Sequence, residues 1–568
     1  GYILRYNGME LENIYLYLCQ LLNSDSINVF QLLFIEAGKI LTVRDNQICC
    51  RYEQLMRWRM LTFELGEELL TTAYLASGVS EKVAQNLGFS WNLVLGHDNY
   101  QLNRLLESGL SENHFHLFGS APIFPLSWIL FMNNPYESKY CAELAKIDRE
   151  KRYYHISYLS DYEEESVLQN CRIAALIRVF LYSWITDKEI WIGDYNAIPE
   201  KEYRLDLPDI EKAKEMCGDQ SIDELEKHLD PNAFHRIQKR QTWKNVIKIL
   251  QDRKRLDEYA YEIKECILRL KKEETLDYMR IGDLNDEEEL FYAGERRLLY
   301  EMFHKIFLDS SSEYQPVFNL FYAYLLLKNR LYEELVQSNK MIGFDNFQIY
   351  QERKGIVFNL FMKEESLRQA MRDCIIYRQI VSLEARITPS DTPKAYAKRI
   401  KELDTIIDSK MENRDRFFYV IHFIKEKDKE HRQEIRCRHF ERRRKVKCQS
   451  RALVGFRTKY PELAVRIHGI DAASQEIGCR PEVFATAFRY LQHDIQLDYE
   501  GRMLPQLRTT YHVGEDFLDI VDGLRAIEEA VLFLNLDNGD RIGHALALGL
   551  DVEKWYSRKK QYLILPQQ

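Results

Sequence analysis

Through most of the first 370 positions, apolar residues recur at three- and four-residue spacing, as in "ENIYLYLCQLLN" (12–23) and "YEQLMRWRMLTFELGEELL" (52–70). That period puts them on one face of a helix, and it predicts helix for most of 1–110. A short run, "ENHFHLFG" (112–119), breaks the period and reads as a strand entering a loop. Helical, charge-rich text then resumes over 121–371, for example "AYEIKECILRLKKEETLDYMRI" (260–281), whose alternating charges suit solvated helix faces.

After Met371 the rhythm changes. Short β-rich runs alternate with helical stretches: "IVSLEARITP" (380–389), "FFYVIHFIK" (417–425), "AVRIHGID" (464–471), "RTTYHVGE" (508–515), "DRIGHALALG" (540–549) and "QYLILP" (561–566). Strand–helix–strand units of this spacing predict a parallel sheet. With the run at His114 they make seven strands, one short of a (β/α)₈ TIM-type barrel. The expected organisation is a helical region over 1–110, a barrel from 111–120 and 372–568, and a mainly helical insertion over 121–371. The run "YLILPQQ" stops on strand-like text, so the protein is expected to continue past Gln568.

Composition narrows the class. The chain has 568 residues, 46% of them apolar, with only 24 Gly and 13 Pro, which suits a helix-rich globular protein. A net charge of −9 gives no global attraction to nucleic acid or anionic membranes. The eleven cysteines include no CxxC, which reads as a reduced, cytoplasmic chain. The longest apolar stretches fall short of the ~20 residues that span a bilayer. One basic run, "RQEIRCRHFERRRKVK" (432–447), reads as a solvated helix face or an interface to an acidic neighbour, with a phosphate or RNA contact as the alternative.

The chemistry-bearing residues fall at strand ends. His114 and His116, one residue apart, project from the same face of the first strand. His512 ends the fifth strand, with Glu515 three residues on, and His544 ends the sixth. Closing a barrel would gather these ends around one mouth. Three imidazoles with an open position suit Zn²⁺, which lowers the pKa of bound water to about 7. A nearby carboxyl kept protonated could donate a proton to a substrate nitrogen. Arg386 reads as an ion-pair partner of Glu384 or another carboxylate, and His422 and His468 read as buried strand histidines rather than ligands.

Five motifs in order carry a resemblance: "NHFHLFGS", "SLEARITP", "GIDAASQE", "YHVGE" and "RIGHALALG". They resemble the adenosine deaminase family of the metal-dependent amidohydrolases. The resemblance implies one Zn²⁺ per chain held by His114, His116 and His512, with Glu515 protonating the adenine ring and His544 holding the attacking water. It further implies substrate contacts from Gly119, Asp471 and Ser474, the last standing where the family has glycine. The family's final Asp ligand, at the end of the eighth strand, has no counterpart here, since Asp537 and Asp540 precede the sixth.

The long insertion and the N-terminal helices resemble the branch formed by the deaminase subunit of the bacterial RADAR antiphage system. That likeness implies adenosine or adenine nucleotides (ATP, dATP) as substrates, inosine forms as products, a large homo-oligomeric shell and a partner ATPase subunit. The alternatives are another amidohydrolase reaction on the same barrel, or a weakly catalytic shell serving as scaffold for the ATPase.

Overall fold

Five of the β-rich runs, those between positions 380 and 544, and the run at His114 form strands that all point the same way. In this computed structural model the described residues are 28–44, 47–78, 96–97, 99–117, 123–154, 166–186, 292–308, 315–336, 380–408, 416–428 and 437–558, with short pieces at 263–264, 267–268, 270, 277–279, 367 and 370–371. The chain divides into two units: Gly1–Glu107, Pro122–Lys340 and Tyr350–Phe361 in one, Ser108–Ala121, Met341–Ile349 and Met362–Gln568 in the other.

The first unit contains helices α1 (Val29–Ile40), α2 (Leu55–Leu65), α3 (Glu67–Gly78), α4 (Tyr100–Leu106), α5 (Ile123–Asn133), α6 (Ser138–Tyr154), α7 (Val167–Thr186), α8 (Ala293–Leu308) and α9 (Gln315–Leu335). It also holds a small sheet that helical periodicity does not announce, of β1 (Leu41–Arg44), β2 (Gln47–Cys50) and β3 (Gly96–His97). Two-residue and four-residue strands are too short to show a period of their own. A fully buried Arg178 ties this unit together, donating to both oxygens of Asp277 at 2.9 and 2.8 Å and to Glu295 at 3.0 Å. Lys328, Tyr324 and Trp128 also donate to Glu295, at 2.7, 2.8 and 3.1 Å, so each charge of this cluster is paired.

The second unit holds a six-stranded parallel sheet in chain order: β4 (Leu110–His116), β5 (Ile380–Ile387), β6 (Phe417–Lys425), β7 (Ile467–Ser474), β8 (Arg508–Val513) and β9 (Arg541–His544). Between strands run α10 (Pro393–Asp408), α11 (Phe440–Lys459), the short α12 (Pro461–Ala464), α13 (Ala485–Gln492) and α14 (Ile520–Leu534), and α15 (Val552–Arg558) follows β9. Local signals set the helix ends. Asp519 caps α14 by accepting from the Val521 N–H at 3.1 Å, and Asn535 ends it in the left-handed region at φ 55°. The run "QYLILP" (561–566), read as a seventh strand, lies outside the described residues.

Strand alternation sorts the residues onto two faces. Leu383, Ala385, Tyr419, Ile421, Phe423, Ile470, Ala472, Tyr511 and Val513 are fully buried on one face. The helices pack there: the Tyr419 hydroxyl donates to Asp404 of α10, and Phe488 of α13 meets Phe423 and Tyr511. The opposite parity carries Glu384, Arg386, His422, Asp471, His512 and Arg541. That face is polar because it is the inside of a curved sheet.

The curvature can be read from two contacts. His114 on β4 and His512 on β8 have ring centroids 4.4 Å apart. Four strand spacings of a flat sheet would separate them by about 19 Å. Arg541 on β9 likewise reaches Glu384 on β5, again four strands away, at 2.6 Å. The sheet is therefore curled into a half-barrel. Among the described residues, no helix is long and apolar enough to cross a membrane.

Candidate metal centre

His114, His116, His422, His512 and His544 stand near the C-terminal ends of their strands, the end at which parallel α/β barrels build their sites. Asp471, three residues before the end of β7, lies at the centre with no exposed surface. His512 Nδ1 donates to its Oδ1 at 2.9 Å, His422 Nδ1 to its Oδ2 at 3.1 Å, and Arg386 Nε to Oδ2 at 3.0 Å. His114 Nδ1 is 3.7 Å from the same Oδ2. Burial pushes the Asp471 acid range up, but the hydrogen bonds and charges of His422 and His512 outweigh it and hold the carboxyl well below its usual range.

An ionised carboxylate only accepts hydrogen bonds, so Nδ1 of both His422 and His512 must carry a proton. In the tautomer that such a bond selects, Nε2 is the nitrogen left to ligate a metal ion. This is the carboxylate–histidine arrangement that orients metal-binding imidazoles.

His114 and His116 face each other across the end of β4, with Nε2 atoms 3.0 Å apart. Two imidazole nitrogens bound at about 2.0–2.1 Å to one tetrahedral ion lie about 3.3 Å apart. Burial pushes His114 down to about 3, with neighbouring positive groups outweighed in part by Asp471. Burial and then the His422 ring push His116 down to about 4, although the residue as a whole is exposed. Both are neutral at pH 7, the form that binds a cation. His114, Asp471 and His512 each offer a ligand atom, all within 4.8 Å of one another, and form a possible metal-binding triad.

Next to this cluster, His544 Nε2 sits 3.0 Å from Glu515 Oε2, and its ring is 5.3 Å from that of His512. Simple alternation would turn His544 away, because Gly543 is the register partner of His512. The backbone breaks the alternation: His544 and Ala545 are both left-handed, at φ 60° and 48°. Two such non-glycine residues in a row are strained, and strain of this kind collects at functional sites. Gly543 is required for space, since a Cβ there would lie 2.6 Å from the His512 ring.

The turn that carries Glu515 is held by side chains that bond its backbone. Buried Glu476 accepts from the N–H groups of Gly514, Glu515 and Asp516 at 2.9, 3.2 and 3.3 Å, clamping the turn after β8. Fully buried Lys425 donates to the His512 carbonyl from the other side, and its own range is lowered by burial. Burial raises Glu515, against the lowering charges of His512 and His544. Its proton is therefore held more tightly than an ordinary glutamic acid's.

Of the other residues read from sequence, Arg386 and His468 keep the place expected of them, while Asp471 and His422 take a different one. Asp471, expected as a substrate contact, is enclosed by protein groups and belongs to the imidazole cluster, because its strand parity points it inward under the histidines. Gly119 lies outside the described residues. Ser474 ends β7 in the left-handed region, at φ 85°, and is half-buried. Arg386 pairs with Glu384 at 2.9 Å and with Asp471. His422, set aside as a buried strand histidine, points into the site, because the register of the two strands sets it opposite Asp471. His468 does not point there: it stacks on Phe418 and meets the Val465 carbonyl.

Of the basic run, 432–436 lie outside the described residues; beyond them Arg442 pairs with Glu426, Arg438 and Arg443 with Glu482, and Arg444 with Glu441. Fold and site together define a parallel α/β half-barrel with a histidine–carboxylate centre at its C-terminal rim. No family model matches the chain, and no curated protein matches it.

Proposed function

We propose that the protein is a zinc-dependent hydrolytic deaminase acting on the cyclic amidine of adenosine or an adenine nucleotide, on a barrel of the (β/α)₈ type. The observation that carries this reading is the 3.0 Å contact of His544 with Glu515, placed beside neutral imidazoles that suit a metal ion. Amide hydrolysis needs no proton on a ring nitrogen before attack. An aminopurine does, and a carboxyl with a raised range is suited to supply it.

His114, His116 and His512 would hold the ion, with Asp471 fixing the His512 ring. Bound Zn²⁺ supplies Lewis acidity that makes water nucleophilic near neutral pH. Glu515 donates its proton to the ring nitrogen, which makes the adjacent carbon electrophilic. His544 orients the water and accepts its proton. A C–O bond forms, the exocyclic C–N bond breaks, and ammonia leaves with the protons returned to it. One water is consumed and an inosine-type lactam is produced. Glu476 and Lys425 keep the turn carrying Glu515 from shifting during these transfers.

The test combines metal analysis with product chemistry. Protein of measured zinc content is incubated with adenosine, ATP and an adenosine-containing RNA, and inosine forms are separated by chromatography. Zinc-dependent product supports the proposal and names the substrate class. A zinc-loaded protein that deaminates none of them overturns it in favour of another amidohydrolase reaction.

A further inference from the structure

Resting on the metal reading above, we infer that His422 is a positioning residue of that centre, acting through Asp471 on the imidazoles that would bind the ion. Its side chain is 9% exposed and is brought inward by β6, at the register position directly opposite Asp471 on β7. Its Nδ1–H takes Oδ2 of the carboxylate while His512 takes Oδ1. A carboxylate held at one oxygen can rotate about its last side-chain bond. Held at both oxygens from β5, β6 and β8, it cannot, and the ring of His512 is fixed with it.

His422 is also packed against the cluster itself. Its ring centroid lies 5.1 Å from His116, 6.0 Å from His114 and 6.2 Å from His512. An apolar residue at this place would fill the same volume, yet it would leave Oδ2 to Arg386 alone. Arg386 is shared with Glu384, so Oδ2 would rest on one divided donor while His512 alone kept Oδ1, and the carboxylate would be held less firmly. Neither strand periodicity nor the family resemblance gives position 422 any part in the site.

The measurement is zinc affinity of the full chain by chelator competition, together with the visible spectrum of the Co²⁺-substituted protein. His422→Ala removes the donor and is expected to weaken zinc binding about 10- to 100-fold and to change the Co²⁺ bands. His422→Asn keeps an N–H near the position of Nδ1 and is expected to recover most of the affinity and the spectrum. His468→Ala, one strand over, should leave both unchanged.

Wild-type affinity and spectrum in His422→Ala would overturn the inference. So would His422→Asn behaving as badly as His422→Ala, since His422 would then act through Nε2 or through packing. If His422→Ala fails to fold, the Asn variant against wild type still decides. Failure of the underlying metal reading looks different: wild type and His114→Ala would both bind no zinc.

Discussion

His512 and Gly543 are register partners on neighbouring strands, and the imidazole occupies the space where a Cβ on residue 543 would stand, 2.6 Å from its ring carbon. The histidine can take its place beside Asp471 only because its neighbour has no side chain. Gly543→Ala should therefore push the His512 ring off the carboxylate. We expect zinc affinity to fall at least 10-fold, read by chelator competition, with the secondary structure retained in circular dichroism.

Glu515→Gln separates chemistry from metal binding. The amide cannot donate a proton of suitable acidity, so turnover should fall about 10²- to 10⁴-fold while zinc content stays at the wild-type level. Because burial disfavours the charged carboxylate, the neutral glutamine should also leave the folded protein at least as stable as wild type at pH 7. Thermal unfolding of the two proteins checks this, and a Gln variant with normal turnover would remove Glu515 from its role.

Metal-free protein should lose stability on acidification from neutral pH. In the unfolded chain His114 and His116 titrate near the ordinary 6.5, but the fold holds them neutral until about 3 and about 4. Between those values the unfolded state binds more protons, so stability rises with pH across the window and is fully present only above about 6.5. Asp471 adds to the loss in more acid solution, below the ordinary aspartate range, where the unfolded carboxyl is protonated and the folded one is not. Glu515 opposes the trend above its ordinary range, since its folded form prefers the proton. Urea unfolding of chelator-treated protein at pH 7.5, 6 and 5 measures the slope, which the double variant His114→Ala/His116→Ala should flatten.

Asp471→Asn removes the charge that three donors share. Buried Arg386 would keep only Glu384, and breaking a buried ion pair costs about 3–5 kcal/mol. The variant should unfold at markedly lower urea concentration and should not retain zinc through dialysis. A stable, zinc-replete Asn variant would refute the central place given to this carboxylate.

Ala545 and Ser474 sit in the left-handed region without being glycine. Ala545→Gly and Ser474→Gly should each stabilise the protein by about 1 kcal/mol, the left-handed cost of an L residue less the entropy of glycine. Turnover in Ala545→Gly should fall despite the added stability, because the freed backbone no longer aims His544 at Glu515.

Much of the second unit was legible before any coordinates. Strand–helix alternation after Met371 announced a parallel sheet, and the one-residue gap between His114 and His116 put both on one face whatever the sheet's shape. The HxGE spacing placed Glu515 in the turn after β8, because a glycine follows the strand and takes φ 71° there. These are local properties, decided by the two-residue period of a strand and by which residues tolerate a turn.

Asp471 and His422 were not legible in the same way, and neither was the direction of His544. Their roles depend on which strands lie side by side, how far the sheet curls, and where the alternation breaks. Curvature brings β4 within reach of β8, and register sets His422 opposite Asp471. Sequence by itself determined the strands, the histidine pair and the acidic turn, because each depends on neighbours a few residues away. Only the tertiary structure decided that one buried carboxylate holds the histidines of two other strands, because that arrangement depends on distances across the sheet, which no local period encodes.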